Sequence, residues 1–162
     1  MQRCSCAQPE TNVKNNSPAH ARMWPVYSNE NEGDGVARDH FIRLDNRLYA
    51  GTHLIIDMWG VMEADNLQLM EDALRKAVKA SGATLLHIHL HHFSPNGGIS
   101  GVAVLAESHI SVHTWPEHSF AAFDIFMCGN CSPVEGLKVL EKIFSPERAE
   151  VKTYIRGRLE EA

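Results

Sequence analysis

Polar groups crowd one short run of this sequence. Between Ser100 and Cys128 lie serines including Ser100 and Ser108, glutamates including Glu107, histidines including His109 and His113, and a terminal cysteine, set among residues that otherwise read as apolar strands. A strand-rich core needs none of these groups, and each costs stability if buried without a partner. The run therefore reads as a polar site within a sheet. Ser108 and His113 are five positions apart, so a straight strand puts them on opposite faces, and they meet only where the chain bends or bulges. Pattern alone leaves the reaction unnamed.

Two other groupings carry potential chemistry. His87, His89 and His91 alternate along one strand face, with His92 beside them, a geometry able to bind a transition metal. No carboxylate within that strand supplies a second shell, and a solvated face or cleft lining is the plainer reading. Cys128 and Cys131 form a C-x-x-C at a strand end and helix start, where the helix dipole favours a thiolate. Two buried reduced cysteines are the commoner outcome. Cys4 and Cys6 sit in a polar tail; no second C-x-x-C completes a zinc knuckle, although histidines could stand in, and no disulfide framework is expected.

The elements that must hold these residues follow from periodicity. Residues 52–59 suit a strand. Asp65 is the expected N-cap of a helix, with Gln68 as capping-box partner and Gly82 as its stop. Residues 83–93 alternate as a second strand, Pro95-Asn96-Gly97-Gly98 is a turn, and 99–106, 109–114 and 120–127 read as three more strands. Ser132-Pro133-Val134-Glu135 opens a second helix, with serine as cap, proline at the first position and glutamate closing the box. Residues 149–155 form a last strand. This order predicts an α/β (α+β) fold, a two-layer sandwich of a largely antiparallel sheet against two helices. Gly97-Gly98-Ile99-Ser100-Gly101 leads into a strand and is a poor phosphate loop. Residues 1–48, rich in Asn, Ser, Pro and Gly, read as a poorly ordered extension, and 49–162 as the folded domain.

Composition bounds the class. The 162 residues are 44% hydrophobic and 22% charged, as in an ordinary globular domain. The first 48 residues are charge-balanced, so the net charge of −5 falls on the remainder. That argues against a nucleic-acid surface and is compatible with a cationic small substrate. No apolar run approaches a membrane span, and the N-terminus lacks the apolar core of a secretory signal. A cytoplasmic protein is expected.

The run Glu107-Ser108-His109-Ile110-Ser111-Val112-His113-Thr114-Trp115-Pro116-Glu117, preceded by Ser100-Gly101-Val102 and followed by Cys128-Gly129, resembles the prokaryotic S-adenosylmethionine decarboxylase proenzymes. Ser81–Thr84, His92-Phe93 and Arg156-Gly157-Arg158 also look like that family, and the similarity runs from about Gly51 to Glu160. The extension, a turn at Asn96-Gly97-Gly98 one residue longer than usual, and Met127 in place of a threonine depart from it.

The resemblance implies a self-cleaving, pyruvoyl-dependent carboxy-lyase. In that family pattern Ser108 attacks the carbonyl of Glu107, the chain parts between them, and residue 108 becomes a covalent pyruvoyl cofactor. His113 would remove the α-proton of residue 108, Ser100 would assist processing, and Cys128 would return a proton to the substrate carbon. Phe93 would stack on adenine and Glu117 would hold the ribose hydroxyls. The amine of S-adenosylmethionine would condense with the keto group as a Schiff base, giving decarboxylated S-adenosylmethionine for spermidine synthesis. The family also implies a homodimer of cleaved protomers with sites at the subunit interface; no metal site is assigned from the sequence. The same pyruvoyl chemistry on arginine or ornithine, a metal-binding protein using the histidine row, and a non-catalytic regulatory homologue are the alternatives.

Overall fold

The computed structural model describes residues 40–159. Their order is β1 (Ile42–Leu44), β2 (Arg47–Trp59), α1 (Leu67–Ala80), β3 (Leu85–His92), β4 (Ile99–Leu105), β5 (Ser108–Trp115), β6 (Phe120–Met127), α2 (Pro133–Phe144) and β7 (Arg148–Leu159). A single 3-10 turn, Pro116–His118, links β5 to β6. The strands form one antiparallel sheet in which β2, β6, β5, β4 and β3 are successive neighbours, β7 pairs the other edge of β2, and β1 makes a hairpin with its start.

Strand alternation divides this sheet into two unlike faces. Leu54, Ile56 and Met58 of β2, Ala103 and Leu105 of β4, Ile110 and Val112 of β5, and Ala121, Phe123, Ile125 and Met127 of β6 all point to one side and are buried. Met70, Leu74, Ala77 and Val78 of α1 and Leu137, Leu140 and Phe144 of α2 close over them. At about 1.5–3 kcal/mol per large buried side chain, this layer is the main source of stability. The expected two-layer α/β sandwich is the observed fold.

Three local expectations differ from the structure. The cap of α1 is Asn66, whose side chain accepts from the Leu69 N–H at 3.0 Å. Asp65 lies one residue too early to reach that donor, and Gln68 bonds Asp72 one turn on at 3.3 Å. Ser132 precedes α2 with proline next to it, yet its hydroxyl makes no capping bond. The extension expected over residues 1–48 ends sooner, because Ile42–Leu44 pairs with Arg47–Tyr49 through a turn at Asp45 and Asn46, both with positive φ. Asx side chains tolerate that conformation, and Ile42 is buried beneath the hairpin. Residues 1–39, including Cys4 and Cys6, lie outside the described residues.

Candidate active site

The turn between β4 and β5 has only two residues, Ala106 and Glu107, because Leu105 pairs directly with Ser108. Glu107 takes φ 65°, a left-handed conformation that costs a non-glycine residue about 1 kcal/mol or more. The strain therefore sits on the residue whose carbonyl precedes Ser108.

The end of β6 meets this turn. Ser108 and Cys128 are each 7% exposed. Their Oγ and Sγ atoms are 3.5 Å apart, and the Cys128 backbone N–H donates to Ser108 Oγ at 3.2 Å. The Cys128 thiol also donates to the Glu107 carbonyl oxygen at 3.2 Å. A hydroxyl, an activated carbonyl and a thiol donor on that carbonyl are thus assembled by the ends of two neighbouring strands. Met127, beside Cys128, is 1% exposed with its side chain under the helices, so the departure from threonine is absorbed in the core.

A second grouping lies on the opposite sheet face. Ser100 of β4 pairs with His113 of β5, and Ser100 Oγ shares a hydrogen bond with His113 Nδ1 at 2.8 Å. Gly101 follows because β3 passes too closely for a side chain: a Cβ there would collide with the His89 carbonyl. Phe93, 49% exposed, stands edge-on to His91 with ring centres 4.5 Å apart. Glu117 is exposed in the 3-10 turn just after β5. Phe93, Ser100, His113 and Glu117 therefore share one end of the sheet, and Glu107, Ser108 and Cys128 the other.

No bend joins the two ends. The pairings of β5 with β4 and β6 run in unbroken register, so Ser108 faces the helices and His113 the open side. Five residues of strand separate them by roughly 17 Å. Within one chain His113 does not reach Ser108.

The cleft beside Ser108 contains residues that sequence reasoning did not single out. A cavity of about 450 Å³ is lined by Ala50, Leu105, Glu107, Ser108, His109, Phe126, Arg156 and Gly157. That size suits a small-molecule ligand. On its open-face side His53 Nε2 lies 3.2 Å from Asp124 Oδ1, Ser111 donates to Asp124 at 3.3 Å, and Arg156 reaches His53 Nδ1 at 3.2 Å. Burial, then the neighbouring His53, pushes the His109 pKa down. Asp124 alone interrupts the apolar alternation of β6, a visible sign of this cluster. Cys131 is half-buried, its thiol directed at the Gly82 carbonyl at 3.7 Å, and burial first, then Cys128, pushes its pKa up.

Comparison with known proteins places the chain in a family. A family model described as S-adenosylmethionine decarboxylase matches residues 52–157. The chain is 44% identical over 108 residues to the S-adenosylmethionine decarboxylase proenzyme of Thermomicrobium roseum, covering 66% of this chain and 93% of that one. It is 46% identical over 110 residues to the proenzyme of Methanococcus maripaludis, covering 66% and 89%. The crystal structure of the adenosylmethionine decarboxylase from Aquifex aeolicus superposes with TM-score 0.62 at 33% identity, covering 70% of this chain and 96% of that one. The fold is thus an S-adenosylmethionine decarboxylase-type α/β sandwich. This chain belongs to the S-adenosylmethionine decarboxylase family.

Proposed function

We propose that the chain cleaves itself between Glu107 and Ser108 and then decarboxylates S-adenosylmethionine with a pyruvoyl group made from Ser108. The observation that carries this reading is the Glu107–Ser108 turn: a strained residue whose carbonyl oxygen accepts from the Cys128 thiol, followed by a buried hydroxyl. Attack of Ser108 Oγ on the Glu107 carbonyl carbon turns the amide into an ester and frees the nitrogen of residue 108. The thiol of Cys128 stabilises the oxygen that becomes negative during the attack. Removal of the α-proton of residue 108 then expels Glu107 as a carboxylate, and hydrolysis releases ammonia.

The site fits the group that results. Residue 108 borders the cavity, and the backbone N–H and thiol of Cys128 already meet its side-chain oxygen. A keto group there supplies an electron sink for the pair released as carbon dioxide leaves an α-amino acid. Cys128, 7% exposed beside residue 108, is positioned to return a proton to the substrate carbon.

A homodimer is part of this reading, because His113 and Ser100 are too distant to serve Ser108 of their own chain. A two-fold-related copy meeting the open sheet face would bring its own His113, Ser100, Phe93 and Glu117 to the first chain's Ser108 and Cys128. That face carries Ile55, Val104, Trp115 and Tyr154, each at least 36% exposed, and among the described residues nothing covers it. In this arrangement His113 abstracts the α-proton, Phe93 offers a ring face to adenine and Glu117 accepts from the ribose diol. No helix among the described residues is long and apolar enough to cross a membrane. A cytoplasmic enzyme supplying an aminopropyl donor for spermidine synthesis is consistent with this chemistry.

The experiment is carbon dioxide release from carboxyl-labelled S-adenosylmethionine, arginine and ornithine. Release from S-adenosylmethionine alone is expected. Release only from arginine or ornithine would overturn the substrate assignment.

A further inference from the structure

The cleavage turn also gathers a set of ligand atoms in which the Cys128 thiol is joined by two groups that the cleavage chemistry does not use, the His40 imidazole and the Glu107 carboxylate. His40 lies upstream of the residues the family model matches, yet its main chain is fixed at the site: its carbonyl accepts from the Gly129 N–H at 2.8 Å. Its side chain turns onto the scissile turn, with Nδ1 3.0 Å from Glu107 Oε2. Cys128 Sγ lies 4.0 Å from that same carboxylate oxygen, and all three ligand atoms fall within 4.8 Å of one another. Among the described residues this is the one group of three His, Cys, Asp or Glu side chains close enough to share an ion; His87, His89 and His91 do not form one.

We infer that His40, Glu107 and Cys128 form an inhibitory site for a zinc-class divalent cation, which holds the precursor uncut. The ligand types set the metal class. Thiolate with imidazole and one carboxylate favours zinc over magnesium or calcium, which take oxygen ligands. Bonds of roughly 2.0–2.3 Å in a tetrahedron put ligand atoms about 3.4–3.6 Å apart; two observed separations, 3.0 and 4.0 Å, straddle that spacing, and the imidazole and thiol, within 4.8 Å, close the rest of the way on the ion. Three protein ligands leave a fourth position for water. His40 and the Glu107 side chain are each 53% exposed, so an ion reaches them from solvent, while Cys128 anchors the site from inside.

Coordination releases the thiol proton to solvent. The sulfur then carries no hydrogen to donate to the Glu107 carbonyl, and its charge faces the oxygen that must become negative. The ion therefore removes the donor that the cleavage step uses. The inhibition rests on the proposed cleavage chemistry; the binding does not.

Binding is measured on full-length chain carrying Ser108→Ala, Cys4→Ser, Cys6→Ser and Cys131→Ser, which stays uncut and keeps Cys128 as its one thiol. Equilibrium dialysis with zinc alone should give one ion per chain. Cobalt(II) alone should give thiolate-to-metal charge-transfer absorption in the near ultraviolet. His40→Ala should weaken binding by about tenfold or more. His40→Gln, which keeps a hydrogen-bond donor toward Glu107 but no imidazole, should weaken it as much. Wild-type chain folded with zinc should remain whole until a chelator is added. Absence of the cobalt band, or equal binding by the His40 variants, would overturn the site. Cleavage of zinc-loaded wild type at the metal-free rate would overturn the inhibition. A wild-type chain that stays whole even with chelator would instead count against the cleavage reading, with the binding experiments still deciding the site.

Discussion

Of two chains that each lack one half of the site, the one that keeps Ser108 should regain cleavage when mixed with the other. Ser108→Ala removes the nucleophile and leaves His113 intact; His113→Ala removes the base and leaves Ser108 intact. Each variant alone should stay in one piece. The proposed homodimer sets what mixing does, because Ser108 and His113 of one chain face opposite sides of an unbroken strand, roughly 17 Å apart. In a heterodimer, Ser108 of the His113→Ala chain meets His113 of the Ser108→Ala chain, and that site is whole. The other site lacks both groups. Random pairing of equal amounts puts about half of all His113→Ala chains in heterodimers. About half of those chains should therefore be cut, and no Ser108→Ala chain should be cut. The assay is co-expression with tags of different mass, followed by denaturing electrophoresis. A His113→Ala chain that stays whole in the mixture, or that cuts itself unaided, would refute the reasoning.

Three other outcomes follow from the same geometry. Cys128→Ala should still be cut, about tenfold to a hundredfold more slowly, since a thiol is a weaker donor than the amide whose loss costs about 10²–10³ in rate; its decarboxylation should fall further, and unchanged rates of both would contradict the role of the thiol. Glu107→Gly relieves the positive φ, which should stabilise a Ser108→Ala chain by about 1 kcal/mol, a rise in Tm of about 2–8 °C. The same change with Ser108 intact should slow cleavage about fivefold, and a faster cut would argue against stored strain. Acid should destabilise the folded chain through His109, whose pKa burial lowers below its usual value of 6.5. The unfolded chain then binds the proton more readily, so the stability present above pH 6.5 is lost as pH falls through the lowered folded value. Thermal midpoints should drop over that interval and drop less in His109→Gln.

Much of the fold was legible because each signal was local. Alternation in β3 to β6, the helical spacing of Met70, Leu74, Ala77 and Val78, and the proline at the start of α2 correspond to the elements observed. The hairpin Ile42–Leu44 was not, since three residues carry no readable period and form only because Asp45 and Asn46 accept positive φ. The cap of α1 shifted to Asn66 for a similar reason: neighbouring Asx residues differ only in which one the turn aims at Leu69.

The site divided along the same line. Parity along β5 separates Ser108 from His113 in the sequence itself, and the straight strand keeps that separation. The contact of Ser108 with Cys128 spans 20 residues and depends on two strand ends finishing at the same height, which no spacing rule reveals. His40 was hidden inside a segment whose composition reads as tail. The cluster of His53, Asp124 and Arg156 joins three strands, and only Asp124, alone in an apolar strand, gave a sign of it.

Intact mass of the purified, active protein under denaturing conditions tests the central claim most directly. Two chains are expected, ending at Glu107 and starting at residue 108 of 162, with the shorter one lighter by the mass of ammonia than a serine-ended fragment. A single continuous chain that decarboxylates S-adenosylmethionine with an ordinary serine at position 108 would contradict it.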